Sequence, residues 1–156
     1  MKSIFYYDTD IGKISIAEND GFITHVLFGN EKSNDIPVRE TPLIEEAHKQ
    51  IEEYLKGQRS TFDLPLSPSG TEFQHKVWNA LKNIPYGETV SYKDIALAAG
   101  NEKASRAVGM ANNRNPISII IPCHRGIGKN GKMVGYGGGI GIKEYLLKLE
   151  KDNLNK

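Results

Sequence analysis

The first 28 residues alternate between short runs rich in β-branched and aromatic side chains and short polar segments. The runs are Ser3–Tyr7, Lys13–Ala17 and Phe22–Phe28, and the segments between them read DTDIG and ENDG. Runs of this kind, bounded by Gly, Asn and Asp, are typical of strands joined by tight turns. The pattern predicts a three-stranded antiparallel meander.

A helical period follows the predicted strands. Thr41 is a suitable N-cap, Pro42 fits the first helical position, and Gly57 marks the end of the pattern. The apolar positions between them recur on one face of a helix, at Leu43, Ala47, Ile51, Tyr54 and Leu55. We expect an amphipathic helix packed on the sheet, and we assign no chemistry to this half of the chain.

The proline-rich segment LPLSPSG separates two differently patterned halves, so we expect two domains, 1–68 and 69–156. The second begins with a helix, because Thr71 and Gln74 form a capping box and Pro85 ends the apolar period. The stripe of this helix comprises Phe73, Val77, Trp78, Leu81 and Ile84.

Two further helices are predicted on either side of a very short turn. Ser91 can cap a helix that runs through Ala99, and Gly100 can close it in a left-handed conformation. Asn101 can then cap a third helix that runs to about Asn113. This spacing is that of a helix-turn-helix, although any short helical hairpin with a surface arginine would look similar.

The third predicted helix is slim, with a basic exposed side. Its buried stripe is expected at Ala104, Ala107, Val108 and Ala111, and its other faces carry Lys103, Arg106, Met110 and Arg114. Ser105, Ala107 and Gly109 add little bulk, and Gly109 is costly inside a helix. Such a helix suits close approach to a backbone or to a groove narrower than the major groove.

Charge strengthens this interpretation only in part. Residues 1–68 hold 7 Lys or Arg and 12 Asp or Glu, net −5, whereas residues 69–156 hold 13 and 7, net +6, within a total of +1. A basic C-terminal half favours a polyanionic partner, although small domains often differ by a few charges. No long apolar run or signal-like start is present, so we expect a cytoplasmic protein that does not enter a membrane.

The single cysteine, Cys123, lies after the apolar run ISIII, which we interpret as a buried strand. It excludes an internal disulfide and a cysteine-based zinc site, and we expect neither metal nor cofactor. An isolated buried cysteine is usually inert, but His124 and Arg125 supply the base and the positive charge that a thiolate needs. Successive extended side chains point apart, so His124 would act through a water molecule.

An acid is needed to orient such a histidine, and we expect it to be Glu144. This residue lies in the first turn of a last helix, Ile142 to about Glu150, that follows the glycine-rich loop 135–139. The glycines could be simple turns, but three in succession allow backbone N–H groups to approach a ligand.

Four motifs within residues 69–150 carry a resemblance to a known family. They read PYGETVSY, SRAVGMANNRNP, IPCHR and YGGGIGIKEYLL, and together they resemble the O6-alkylguanine-DNA alkyltransferases. The expected fold class is α/β (α+β): a small antiparallel sheet with a helix is joined to a mostly helical domain that contains a winged-helix-like helix-turn-helix. The resemblance implies a monomer that moves an alkyl group, once, from O6 of guanine in double-stranded DNA to its own cysteine, with O4 of thymine as a second candidate substrate position.

The resemblance also implies roles for individual residues in the chemistry. Cys123 would be the acceptor, His124 the base acting through water, and Glu144 the acid that orients it. Tyr92 would donate a proton or hydrogen bond to N3 of the departing guanine. No metal or cofactor takes part in this transfer.

On the DNA side, the resemblance implies that the slim helix, with Ser105, Ala107 and Gly109, lies in the minor groove. Arg106 would enter the base stack where the damaged base is flipped out, and Asn115 would tie the turn after the helix.

Arg125, Gly126 and Gly137 would support the site. Many relatives carry valine at the first of these glycines and serine or alanine at the second, so we expect both positions to enlarge the space for the alkyl group.

Two other classes of protein remain as alternatives. A helix-turn-helix regulator or lesion-binding module would use Cys123 structurally and leave DNA unchanged. A cysteine hydrolase would use Cys123, His124 and Glu144 to turn over a small ester or amide repeatedly.

Overall fold

The structure is a computed structural model that describes residues 1–29, 35–128, 136 and 138–154. Its internal contacts divide the chain into two compact units, Met1–Ser69 with Pro116–Ile120, and Gly70–Asn115 with Ile121–Lys156. The return of residues 116–120 to the first unit is not predicted by the sequence pattern. Within the described ranges, no helix is long and apolar enough to cross a membrane.

The first unit contains the predicted antiparallel meander. Its strands are β1 (Lys2–Thr9), β2 (Gly12–Asn19) and β3 (Phe22–Phe28), in the order β1-β2-β3. The hairpin between β2 and β3 turns at Asp20 and Gly21, which both have positive φ, as tight hairpins require. The prediction of three strands is confirmed.

One helix, α1 (Pro42–Leu55), packs against this sheet. Thr41 caps it, since its hydroxyl accepts a hydrogen bond from the backbone N–H of Ile44 at 3.2 Å. The predicted face is buried except at Leu43, which is half-buried because Ile44 takes the inward position. The helix therefore forms where the cap and the apolar period place it.

The second unit is mostly helical. Its elements, in chain order, are α2 (Glu72–Lys82), β4 (Val90–Ser91), α3 (Tyr92–Ala98), α4 (Ser105–Asn113), β5 (Gly126–Ile127) and α5 (Ile140–Leu154). The two short strands pair in parallel. Thr71 and Gln74 form the predicted capping box of α2, and the indole N–H of Trp78 donates to the Ala111 carbonyl of α4 at 3.0 Å. The predicted α+β fold class is confirmed.

The third predicted helix begins later than expected. Asn101 accepts a hydrogen bond from the N–H of Lys103 at 3.2 Å and caps a turn, whereas α4 starts at Ser105 after Ala104, which provides no side-chain cap. The buried residues of the helix are Val108, Ala111 and Asn112, whereas Ala107 is exposed. The predictions for the start of the helix and for Ala107 are therefore wrong.

The apolar run before Cys123 is buried but is not a strand. Ile117 makes a single bridge to Val26 within the first unit, and Ile119 then has a φ of +71°, outside the usual range for a β-branched residue. The Ile120 N–H bonds to the Ser118 carbonyl at 2.8 Å, which closes a γ-turn around Ile119. An apolar run shows burial without showing conformation, and here the turns decide.

Candidate active site around Cys123

A tight turn presents Cys123. Pro122 has φ −78° and ψ 66°, and the Cys123 N–H bonds to the Ile121 carbonyl at 2.7 Å, which is the geometry of an inverse γ-turn. Cys123 then opens a single turn of 3-10 helix, Cys123–Arg125, and is 2% exposed. Burial raises the pKa of its thiol to about 11, although a hydrogen bond with the Asn115 side chain and the charge of Lys143 oppose this. The resting site holds a thiol at neutral pH.

The histidine that follows is held by a buried carboxylate. The Nε2 of His124 lies 2.6 Å from Oε2 of Glu150, and both side chains are fully buried. Burial lowers the pKa of His124, against the raising effect of Glu150 and with the help of the Arg125 charge. The imidazole is therefore neutral and can accept a proton.

Arg125 and a backbone amide complete the environment of Glu150. The guanidinium of Arg125 donates from Nε to Oε1 at 2.9 Å and from Nη2 to Oε2 at 3.0 Å, and the N–H of Gly87 donates to Oε1 at 2.9 Å. Arg125 also donates to the Ile84 carbonyl at 2.8 Å. We predicted that this arginine would support the site with its charge, and the structure directs that charge to Glu150.

Gly87, in the PYGET turn, contributes its backbone N–H to the environment of Glu150. Its φ is +84°, and a Cβ built there would lie 2.0 Å from Cδ1 of Leu154. The positive φ favours glycine at this position, where the backbone N–H is offered to Glu150, while the exposed Leu154 side chain could move away from a Cβ.

The prediction that Glu144 orients His124 is corrected by the structure. Glu144 is exposed, whereas the buried residues of α5 are Lys143, Leu146 and Glu150, at helical spacing on one face. Glu144 lies about 100° around the helix from Lys143 and faces solvent. The sequence does carry the relevant signal, because Glu150 shares its helical face with Leu146.

Tyr92, the predicted proton donor, is fixed on several sides. A Cβ on Gly109 would lie 3.3 Å from its Cε2, and a Cβ on Gly126 would lie 3.2 Å from its Cε1, so two glycines border the ring. The amide of Asn112 donates to the hydroxyl at 3.3 Å. Burial raises the pKa of Tyr92, and its interaction with Cys123 adds to the effect. Tyr92 therefore stays protonated and is electrostatically coupled to the thiol.

Gly126 does not open space for a larger ligand, contrary to the sequence-based expectation. A Cβ there would lie 3.1 Å from Oδ1 of Asn112 and 3.3 Å from Cδ1 of Ile95, in addition to its contact with Tyr92. The space of the missing side chain is already filled. Gly109 has the same explanation, since the slimness of α4 at this point makes room for Tyr92.

Lys143 is a functional candidate that sequence reasoning missed. Its Nζ donates to the Gly126 carbonyl at 2.6 Å and lies 5.9 Å from the centre of the Tyr92 ring. Burial lowers its pKa, while Cys123 opposes that shift. A fully buried lysine is a signal of function, but the sequence alone places Lys143 beside no partner.

Tyr136 is a second missed residue, and it is buried. Burial raises its pKa well above the ordinary value, with further contributions from Cys123 and Glu150. The glycine-rich loop thus contributes a phenol to the site. The predicted support residue Gly137 lies outside the described residues.

The remaining predicted residues belong to α4 and its end. Arg106 and Ala107 are exposed, and Ser105 and Gly109 are half-buried. Asn115 is buried, and its Nδ2 donates to the Ile121 carbonyl at 2.8 Å, which joins the end of α4 to the turn before Cys123. The structure therefore groups Cys123, His124, Tyr92 and Asn115 with Glu150 and Lys143, and places Arg106 at an exposed position of α4.

This arrangement combines a nucleophile, a neutral base with its acid, and a protonated phenol. The imidazole can take the thiol proton, and Tyr92 can donate a proton to a leaving group. Over the part of the chain that the structure describes, no group of three or more His, Cys, Asp or Glu side chains could hold a metal ion.

Comparison with known proteins agrees with this geometry. Residues 4–68 match the model of the 6-O-methylguanine DNA methyltransferase ribonuclease-like domain, and residues 72–152 match that of the DNA binding domain of the same protein. A methylated-DNA--protein-cysteine methyltransferase of Methanosarcina acetivorans is 52% identical over 148 residues, which cover 92% of this chain and 95% of the relative. The constitutive enzyme of that name from Bacillus subtilis is 48% identical over 92% of each chain.

The solved structures give the same result. The O6-methylguanine methyltransferase of Mycobacterium tuberculosis superposes with a TM-score of 0.90 at 42% identity, over 98% of this chain and 94% of that one. OGT of the same organism, solved in complex with DNA, also has a TM-score of 0.90 at 42% identity, over 97% of this chain and 94% of the other. The resemblance seen in the sequence motifs is confirmed, and this chain belongs to the 6-O-methylguanine DNA methyltransferase family.

Proposed function

We propose that this protein repairs DNA by direct reversal, moving an alkyl group from O6 of guanine in double-stranded DNA to Cys123, once per molecule. The observation that carries the proposal is the buried Cys123 thiol followed by a neutral His124 that Glu150 holds at 2.6 Å. Family membership supports the same reaction. The product is a thioether, which has no ready leaving group, so the protein is consumed.

The transfer is an in-line displacement at the alkyl carbon. His124 removes the thiol proton through a bound water, the S–C bond forms as the C–O6 bond breaks, and the electron pair of that bond stays with the guanine. Tyr92 supplies a proton to N3 of the departing base. Glu150 stabilises the imidazolium that forms, a role that we assign to it in place of Glu144.

Lys143 and Asn115 support this step. Lys143 places a positive charge near both Cys123 and Tyr92, which favours the anionic forms of the two groups during proton movement. Asn115 hydrogen-bonds with the thiol side chain and lowers its pKa against the effect of burial. The barrier to thiolate formation is reduced while Cys123 stays buried.

The second unit is proposed to bind the minor groove through α4. Ser105 and Ala107 allow close approach, and the exposed Arg106 enters the stack where the damaged base has been flipped out. A base inside a duplex cannot reach a thiol that is 2% exposed, so flipping is required. The first unit has a structural role, and we expect a cytoplasmic monomer.

Intact-protein mass spectrometry tests the transfer. The wild-type chain is incubated with excess duplex carrying one O6-methylguanine, beside Cys123→Ala. We expect each wild-type molecule to gain about one methylene unit of mass and the variant to gain none. Binding without a mass change would identify a lesion-binding module, and repeated turnover of a small ester or amide without a stable adduct would identify a hydrolase.

The DNA arm of the proposal has its own test. Arg106→Ala is expected to slow transfer from duplex DNA while leaving the reaction with the free base O6-benzylguanine unchanged. Lys49→Ala, which removes a positive charge from an exposed position of α1, is the matched control. If Arg106→Ala slows the reactions with duplex DNA and with the free base equally, Arg106 does not act by entering the base stack.

A further inference from the structure

Asn112 connects the helix proposed to bind DNA with the proposed proton donor. It lies in the last two turns of α4 and is 1% exposed. Its Nδ2 donates a hydrogen bond to the Tyr92 hydroxyl oxygen over 3.3 Å, between two buried side chains. Burying a polar side chain this deeply is costly unless the side chain is hydrogen-bonded.

The surrounding packing fixes the ring of Tyr92 but not the direction of its hydroxyl hydrogen. Gly109 and Gly126 border the two edges of the ring at 3.2–3.4 Å from their would-be Cβ atoms. A phenol oxygen can accept a hydrogen bond and has one hydrogen that rotates to suit its neighbours. The side chain that donates to the oxygen therefore decides where the hydrogen points.

The Asn112 amide lies against Gly126. A Cβ at position 126 would lie 3.1 Å from the Asn112 Oδ1, so the amide oxygen occupies the space that a side chain there would need. The amide nitrogen, Nδ2, is directed at the Tyr92 hydroxyl. The missing side chain at position 126 therefore leaves room for both the Asn112 amide and the Tyr92 ring.

We propose that Asn112 is a positioning residue for alkyl transfer: by donating to the Tyr92 oxygen, it turns the hydroxyl hydrogen toward N3 of the departing guanine. This inference rests on the proposed function and deepens it. Because Asn112 lies on α4, the helix that meets DNA also orients the group that protonates the damaged base.

The proposal depends on the ability of the Asn112 amide to donate a hydrogen bond, and not on its volume. Asn112→Leu keeps a similar volume and donates nothing, so we expect alkyl transfer to slow about three- to ten-fold, the worth of one hydrogen bond. Asn112→Asp has the same shape, but its carboxylate would accept the Tyr92 hydrogen and draw it away from the base. We expect this variant to be slower still.

A double-mutant cycle with Tyr92→Phe tests the connection. The rate of transfer from O6-benzylguanine is measured for wild type, Asn112→Leu, Tyr92→Phe and the double variant, so that DNA binding does not contribute. We expect Asn112→Leu to slow the wild type about three- to ten-fold and the Tyr92→Phe protein less than about two-fold. Equal slowing in both backgrounds would overturn the proposal.

A substrate analogue distinguishes a positioning role of Asn112 from a purely structural one. O6-Benzyl-3-deazaguanine has a C–H group in place of N3, so it cannot accept the Tyr92 proton. Wild type and Asn112→Leu are expected to react with it at equal rates. A persistent difference on this analogue would mean that Asn112 only supports the fold.

Controls separate the possible failures. Asn113→Leu changes the neighbouring, exposed residue of the same helix and should leave the rate with O6-benzylguanine unchanged. Asn112→Asp replaces Asn112→Leu in the cycle if the latter does not fold, as judged by its thermal midpoint. Loss of transfer in the wild type would refute the proposed function, whereas additive rates with a reactive wild type would refute only the role of Asn112.

Discussion

The two glutamates of α5 allow a sharp test of the site, because only one of them is buried. Glu150→Gln replaces a fully buried carboxylate that accepts hydrogen bonds from His124, Arg125 and Gly87. The amide is nearly isosteric, but one of its two terminal groups becomes a donor that faces other donors. Glu144→Gln makes the same chemical change at an exposed position of the same helix.

The expected magnitudes differ widely. Removing one partner of a buried ion pair costs about 3–5 kcal/mol, because the other charge is left buried without compensation. Here that charge is the guanidinium of Arg125, which is 7% exposed. A surface substitution away from such features changes stability by at most about 0.5 kcal/mol. We therefore expect Glu150→Gln to lower the free energy of unfolding by about 3–5 kcal/mol and Glu144→Gln to leave it nearly unchanged.

Urea unfolding at pH 7, followed by circular dichroism and analysed by linear extrapolation, measures both values. Alkyl transfer to Cys123 is measured in parallel, and Glu150→Gln should be the slower variant because the imidazolium loses its counter-charge. A loss below about 1 kcal/mol for Glu150→Gln would refute the reasoning about the buried ion pair. A slower reaction in Glu144→Gln than in Glu150→Gln would restore the sequence-based assignment.

Three further predictions concern ionisation and packing. The only thiol of the chain, Cys123, should titrate near pH 11 by ultraviolet absorbance, with Cys123→Ser as the blank, and a midpoint near the ordinary value of 9.0 would contradict its burial. Because folding lowers the pKa of His124, the unfolded chain takes up a proton at higher pH than the folded chain does, so the free energy of unfolding should be at its full value above about pH 6.5 and should fall below that pH. Urea unfolding measured against pH should show a smaller loss of stability at acid pH for His124→Gln than for the wild type. The same dependence on pH in both proteins would contradict this role of His124. Gly126→Val should lower the free energy of unfolding by about 1–3 kcal/mol, because the added side chain overpacks the site. Gly141→Ala should be tolerated, because no atom lies within 4 Å of a Cβ at that position. Equal thermal midpoints for the two variants would contradict the close packing around Gly126.

The parts of the fold that local rules govern could be predicted from the sequence. The meander, the Thr41 cap and the Thr71–Gln74 capping box depend on residues a few positions apart, and all three are present in the structure. The start of α4 could not be predicted in the same way, because Asn101 is a good cap for either a helix or a turn. Its side chain accepts from the Lys103 N–H and its carbonyl accepts from the Ala104 N–H at 3.1 Å, which closes a turn before the helix begins.

The chemistry of the site was predictable only where its residues are adjacent in the chain. Cys123 and His124 stand side by side, but the acid depends on the rotational phase of α5, which exposes Glu144 and buries Glu150. Selecting the glutamate nearest the start of the helix gives Glu144, which is the wrong residue. A choice by the face shared with Leu146 selects the right one.

The environment of Tyr92 could not be predicted from the sequence pattern. Its neighbours Gly109, Asn112, Gly126 and Lys143 come from three separate segments, and no period or motif joins them. Read singly, each glycine suggests added space. Seen together, they leave room for one ring.

Burial explains how a nucleophile that is used only once can be kept for its substrate. A permanent thiolate would react with any soluble electrophile, whereas the pKa of about 11 keeps Cys123 protonated at rest. Ionisation then depends on the neutral His124 and on a bound base that Tyr92 can protonate, so the proton leaves the sulfur only when the leaving group can receive another. On the proposed function, the desolvation that weakens the free nucleophile is also the source of its selectivity, and a variant that exposed Cys123 would react faster with iodoacetamide and lose discrimination for the damaged base.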